Sequence, residues 1–281
     1  MNTFLWPSGI SLPAVFKWMA VLLGCLLTGC VAKNYNDPEL AAQPVPTDPG
    51  IVKGELDNGF RYWIRSTNAS SSNHTINIRH VIRVGSIDEN QNERGYTHLL
   101  EHVVFRAAQK KARLKQLIAD AGLSWGADVN AYTYADRTEY VFTLSAEQIA
   151  LVPGVFRFVS TMLDGFEIEA RHLRAEVPIV EAEFRHRNSA NAGSFDALHK
   201  ALYVNTPWLG RPVQGHLADL RASTVESLQA FWDRHYLPSN SLLIVTGKID
   251  PYEMQKVITA QFDALRNKDC LLYTSPSPRD S

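Results

Sequence analysis

Apolar residues recur along this chain with two periods. Alternation with period two, the mark of a half-buried strand, runs through 60–66, 75–84, 125–133, 138–144 and 241–246. In the second of these, Ile76, Ile78 and His80 alternate with Asn77, Arg79 and Val81. Spacing of three and four, which gathers apolar side chains on one stripe of a helix, runs through 96–105, 111–121, 146–163, 168–187, 224–235 and 251–265, with a shorter stretch at 194–203. The punctuation agrees. Gly122 stands where a helix C-terminus wants glycine, Ser145 is a good N-cap with Glu147 behind it, and Pro251 suits a first turn. Pro178 predicts a break or bend in the helix that contains it. The run NASSSNH joins the first two strands, 85–94 is a polar loop, and 204–222 is a loop with Pro207, Gly210, Pro212 and Gly215. Groups of strands separated by long helices predict an α+β fold, a mainly antiparallel sheet with helices on one face. There is no internal repeat.

Composition narrows the class. The 281 residues carry a formal net charge of −1, with no basic excess to hold nucleic acid. Cys25, Cys30 and Cys270 all lie near the chain ends, so neither a disulfide framework nor a cysteine metal site is available to the body of the protein. Any metal must be held by His and carboxylate. Residues 14–29 are apolar apart from Lys17, and the run after Lys17 is short of the roughly 20 residues of a comfortable membrane span. It ends in Leu27-Thr28-Gly29-Cys30, which resembles the lipobox of bacterial lipoproteins, where the cysteine becomes the lipid-bearing first residue. Leu22-Leu23-Gly24-Cys25 is an overlapping match. Cys30 is preferred because the polar run KNYNDPELAAQPVPTDPG begins soon after it. The expected organisation is a signal peptide over 1–30, a linker over 31–50, a folded domain over 51–268 and a Ser/Pro-rich, non-native tail over 269–281. The expected location is the bacterial cell envelope, lipid-anchored and facing the periplasm.

Chemistry is concentrated in YTHLLEHVVF. His98 and His102 stand one helical turn apart, so both imidazoles project from the same face and can form half of a tetrahedral zinc site. Glu101 sits beside them, placed to take a proton from a water. This H-x-x-E-H is the inverted form of the H-E-x-x-H metallopeptidase motif. Spacing alone leaves open that the pair is two solvated histidines. A third ligand must come from elsewhere. Among Glu169, Glu176, Glu181 and Glu183, the pair Glu176 and Glu183 lies seven residues apart on nearly one helix face, enough for one ligand and one orienting carboxylate. A solvated acidic face is the alternative. His74, His80, His172, His186, His199, His216 and His235 lack motif spacing and read as surface or packed residues, and the Asn-x-Ser/Thr sites at Asn68 and Asn73 read as without a role.

Four segments, in order, resemble the pitrilysin/insulinase family of zinc peptidases over roughly 52–266. They are GSIDENQNERGYTHLLEHVVF, GADVNAYTYADRTEYVFTL, EVPIVEAEF and LQAFWDRHYLPSNSLLIVTGKIDP. The resemblance implies a fold like that of mitochondrial processing peptidase. It implies one Zn2+ held by His98, His102 and Glu183, with Glu101 as base and Glu176 as an assisting carboxylate. It also implies an extended peptide laid along an edge strand at Asn130 and Ala131, and a second homologous half or partner subunit completing a chamber. Two departures stand out: Pro178 lies between the two glutamates, and RAAQKKARLK after Phe105 is short of a family glycine turn. The rival readings are a non-catalytic member that binds peptides or a partner, a small-molecule enzyme with the same motif such as S-ribosylhomocysteine lyase, and a lipoprotein scaffold in which the motif is accidental.

Overall fold

The computed structural model describes residues 48–67, 74–112, 114–165, 167–187, 197–198, 200–204, 206 and 208–267. The signal peptide, Cys25, Cys30, most of the linker, the sites at Asn68 and Asn73, and the tail with Cys270 lie outside the described residues.

The strands are β1 (Ile51–Glu55), β2 (Arg61–Ser66), β3 (Thr75–Ile82), β4 (Val129–Thr133), β5 (Thr138–Ser145) and β6 (Ser241–Gly247). They form one sheet in the order β1-β2-β6-β3-β5-β4. Every neighbouring pair is antiparallel except β2 and β6, which run parallel. The last strand in sequence therefore sits in the middle of the sheet. Its alternate residues Ser241, Leu243 and Val245 are buried, as are Ile76, Ile78, His80 and Ile82 of β3. That face is covered by the helices, and the α+β expectation holds.

The helices are α1 (Tyr96–Ala112), α2 (Leu114–Asp120), α3 (Val152–Asp164), α4 (Ala170–Arg187), α5 (Leu217–Ala222), α6 (Val225–His235) and α7 (Pro251–Phe262). α1 packs between α3 and α4 and touches β4 and α6, while α7 lies on β2 and α3. Phe60 and Phe262 stack with ring centroids 4.3 Å apart, closing the β2 side of the core against α7. The Tyr140 and Tyr236 hydroxyls meet at 2.8 Å deep in the core, so neither is left unpaired.

Several elements differ from the sequence expectation. β1 was not expected, because Lys53, Gly54 and Glu55 weaken its apolar period. A Cβ on Gly54 would come within 2.1 Å of the Tyr62 ring, so glycine is what allows that ring to lie across the strand. Trp125 makes only an isolated bridge to Val129, 126–128 is a turn, and β4 begins at Val129. The helix expected over 146–163 is a 3₁₀ segment, Ala146–Leu151, followed by α3, because Pro153 cannot continue an α-helical hydrogen-bond ladder from before it. α1 runs on to Ala112, past the 105 expected. The loop over 204–222 contains α5. Of 194–203, only 197–198 and 200–203 are described, with 197–198 and 200–202 helical. α4 runs unbroken through Pro178, so the expected break is not found.

Candidate active site

The first turns of α1 carry His98, Glu101 and His102, and α4 crosses them carrying Glu176 and Glu183. Leu99, Leu100, Val103 and Val104 are buried under α1 and fix which face it turns outward. On that outward face His98 and His102 stand edge to face, ring centroids 5.0 Å apart. Glu183 reaches both: its Oε2 lies 3.6 Å from His98 Nε2 and its Oε1 3.8 Å from His102 Nε2. One ligand atom from each of the three residues falls within 4.8 Å of the others, and among the described residues no second such cluster exists.

The cluster fits zinc. A tetrahedral ion with bonds of about 2.0–2.1 Å asks its donors to lie about 3.3–3.5 Å apart; each imidazole lies a few tenths of an ångström beyond that from one or other Glu183 oxygen, so a small turn of the carboxylate would complete the set. Two imidazoles and one carboxylate leave a fourth position open, as catalytic sites do.

The surroundings hold these groups in place. His102 Nδ1 lies 3.3 Å from Glu176 Oε2, which leaves Nε2 to face Glu183. Glu176 is buried, and Arg106, one turn beyond His102, donates from Nε to its other oxygen. Burial pulls the His102 pKa down, but the hydrogen bond to Glu176 and the charges of Glu101, Glu183 and Glu176 outweigh it and raise the ring above its ordinary value. For Glu176, burial pushes up, but His102 and Arg106 outweigh it and lower the carboxyl. Three carboxylates around one imidazole make a pocket that favours positive charge.

Glu101 points toward the sheet edge, where the Thr133 hydroxyl donates to its Oε2 at 2.6 Å. β4 is that edge. Its buried residues Val129 and Ala131 share a face with Thr133, whereas Asn130 and Tyr132 point to the other side. The Asn130 amide donates to Gly126 O and Tyr132 Oη, at 3.2 and 3.0 Å, and its Oδ1 accepts from the Ala131 N–H at 2.9 Å. The structure thus brings His98, Glu101, His102, Glu176 and Glu183 together, with Asn130 and Ala131 on the adjoining edge.

Two contributors were not singled out from sequence: Thr133 and Arg106. Both had a signal. Thr133 is two residues from Ala131 and so shares its face on a strand, and Arg106 is four residues from His102 on one helix face.

An inverted histidine pair on a helix, crossed by a glutamate from a second helix over a mainly antiparallel sheet, defines the active-site layer of a metallopeptidase. The chain belongs to the insulinase family, peptidase family M16, whose model matches residues 66–215. Residues 222–281 match the model described as the Peptidase M16 inactive domain. Yet β6, inside that second match, lies between β2 and β3, so the two matches share one sheet. The chain is 30% identical over 236 residues to the probable zinc protease PqqL of Escherichia coli, covering 83% of this chain and 25% of that protein. It is 26% identical to the chloroplastic stromal processing peptidase of Oryza sativa subsp. japonica, covering 78% of this chain and 18% of that one. The crystal structure of the periplasmic protease PqqL from Escherichia coli superposes with a TM-score of 0.72 at 28% identity, over 81% of this chain and 25% of that one. These relatives are a protease described as a probable zinc protease and a processing peptidase, and this chain spans about a quarter or less of their length.

Proposed function

We propose that this chain carries the catalytic domain of a zinc-dependent endopeptidase acting on peptides or small unfolded proteins outside the cytoplasm. His98, His102 and Glu183 are its zinc ligands, Glu101 its general base and Glu176 an assisting carboxylate. The observation that carries this reading is the convergence of three donor atoms, one from each ligand residue, within 4.8 Å, from two helices packed against each other.

Zinc in this site would polarise the scissile carbonyl and bring the pKa of a water toward neutrality. Glu101 takes the proton of the attacking water and returns it to the leaving amine. The Thr133 hydroxyl donates to one oxygen of Glu101 and so aims the carboxylate. Glu176, held by Arg106, fixes the His102 ring through Nδ1, so that Nε2 is the donor. An extended peptide adds to the open edge of β4 at Asn130 and Ala131, bound through its main chain and therefore with tolerance for varied side chains. The Asn130 oxygen that covers the Ala131 N–H must swing aside to admit it.

The proposed organisation remains a signal peptide over 1–30 lipidated at Cys30, a linker over 31–50, the peptidase domain over 51–268 and a non-native tail over 269–281. A second homologous half or a partner subunit completes the chamber around the peptide.

The test is Glu101→Gln, which keeps the side chain's shape and removes its basicity. It should leave about one zinc per chain, by elemental analysis, while peptide hydrolysis falls by roughly 100-fold to 10,000-fold. Undiminished hydrolysis in the variant would end the assignment of Glu101. A wild-type protein that takes up no zinc would favour instead a non-catalytic, peptide- or partner-binding member of the family.

A further inference from the structure

The loop that enters α1 contains a buried carboxylate that the proposed chemistry does not use. Glu89 is 2% exposed. Its Oε2 accepts from the Gly95 N–H and its Oε1 from the Thr97 N–H, each at 2.9 Å. Gly95 is the residue before α1 and Thr97 lies in its first turn, where N–H groups have no partner within the helix. Thr97 is the residue immediately before His98. Burial raises the Glu89 pKa to about 7, while the two N–H groups and the positive end of the 17-residue helix favour its charged form.

The carboxylate is itself held in place. Arg211 donates from Nη1 to the Glu89 main-chain oxygen, and the Ser86 hydroxyl donates to Arg211 O at 2.8 Å. The His216 N–H donates to Arg94 O at 3.2 Å, and Arg94 pairs with Asp219 at 2.6 Å. Gly95 and Gly215 both have positive φ, and a Cβ on Gly215 would fall 2.2 Å from Gly95 Cα. Backbone is therefore pressed on backbone where the 208–216 stretch crosses the entrance to α1.

We propose that Glu89 is a positioning residue for the metal site: its carboxylate fixes the rotation and register of the first turn of α1, so that His98 and His102 meet Glu183. The proposal rests on the zinc reading given above. Glu89 touches neither ligand, and it acts through the backbone of Gly95 and Thr97. Clamping the loop from outside keeps the carboxylate from withdrawing toward water.

The experiment uses the whole chain and zinc titrated against a competing chelator, beside thermal unfolding of the metal-free protein. Glu89→Gln keeps the volume but turns an NH2 toward one backbone N–H. It should weaken zinc binding by about 10-fold to 100-fold, the scale seen when groups that orient metal ligands are lost. The visible spectrum of the Co2+-substituted protein should change with it, since it reports ligand geometry. Glu89→Asp keeps the charge but draws the carboxylate back by about 1.5 Å, one carbon–carbon bond, so that it cannot bridge both N–H groups, and should fall between the two. It also serves if the Gln variant does not fold. Glu93→Gln is the control: Glu93 lies in the same loop and pairs with Arg234, but its carboxylate accepts from Asn90 and not from α1. It should leave zinc affinity within about twofold even where stability drops. Zinc affinity equal to wild type in both Glu89 variants, or lost no more than in Glu93→Gln at matched stability, overturns the proposal. A wild-type chain that binds no zinc removes the zinc reading itself, which is a different result.

Discussion

His80 shows how differently one residue type behaves across this fold. Its ring lies between Phe60 and Tyr140, fully buried, and neither ring nitrogen has a hydrogen-bond partner among the described residues. Burial lowers its pKa to about 3. The unfolded chain binds a proton near 6.5 that the folded chain refuses, so this residue's contribution to stability is complete above 6.5 and is lost as pH falls toward 3. By pH 4.5 the loss reaches about 3 kcal/mol, from about two pH units at about 1.4 kcal/mol each. His80→Leu, close in volume and without ring nitrogens, should raise neutral-pH stability by about 1 kcal/mol. It should also flatten the acid limb of a stability curve measured by urea unfolding between pH 4 and 7. An unchanged acid limb would show that His80 is not what destabilises the fold in acid. His98 and His102 carry the same side chain on the polar face of α1, where carboxylates rather than apolar rings surround them. Sequence spacing set the pair apart from His80; the structure places the pair against Glu183, and His80, at an inward position of a strand, in the core.

At the scale of elements, the site depends on how α1 is set against α4 and β4. The Thr133 hydroxyl donates to Glu101 from the edge strand across to the helix. Thr133→Val keeps the branched shape and the strand preference and removes only that donor. It should leave zinc content unchanged and lower kcat by about tenfold or more, the order expected when a proton-transfer group loses its alignment. Normal turnover in this variant would mean that packing under α1 is enough to aim Glu101. The elements themselves were legible where a period was long and cleanly capped: α6 begins after Thr224, whose side chain caps it, and α7 after Asp250, with Pro251 in its first turn. They were illegible where tertiary contact decided. β1 has one strongly apolar end and a glycine in its middle, and it is a strand because β2 pairs with it and Tyr62 needs that glycine's space. Pro178 leaves α4 intact because one missing N–H is tolerated in a helix held along its length by α1. For the site, local spacing carried His98, Glu101 and His102. Glu183 needed the family resemblance, since eighty intervening residues hide the crossing of α4 over α1. Glu89 was missed because a capping carboxylate six residues upstream of its first N–H has no periodic signature.

For the molecule as a whole, the sheet places its edge strand β4 beside the proposed catalytic residues. The relatives are about four times as long as the match. No helix among the described residues is long and apolar enough to cross a membrane. The proposed tie to the envelope therefore rests on the sequence ending in Leu27-Thr28-Gly29-Cys30. A single acyl chain gives only marginal membrane binding, so stable anchoring requires more than one chain on the modified cysteine. In a Gram-negative host, the full chain should incorporate labelled fatty acid and sediment with membranes. Cys30→Ser should abolish both and release the protein from the membrane fraction, while Cys25→Ser should leave both intact. The reverse pattern would move the lipid to Cys25, five residues deeper in the apolar run. Labelling that survives both changes would remove lipidation from either cysteine, and with it the argument that this peptidase works at a membrane surface. The proposed zinc site would be untouched by any of these results, because its residues lie between 98 and 183, outside the proposed lipobox and linker.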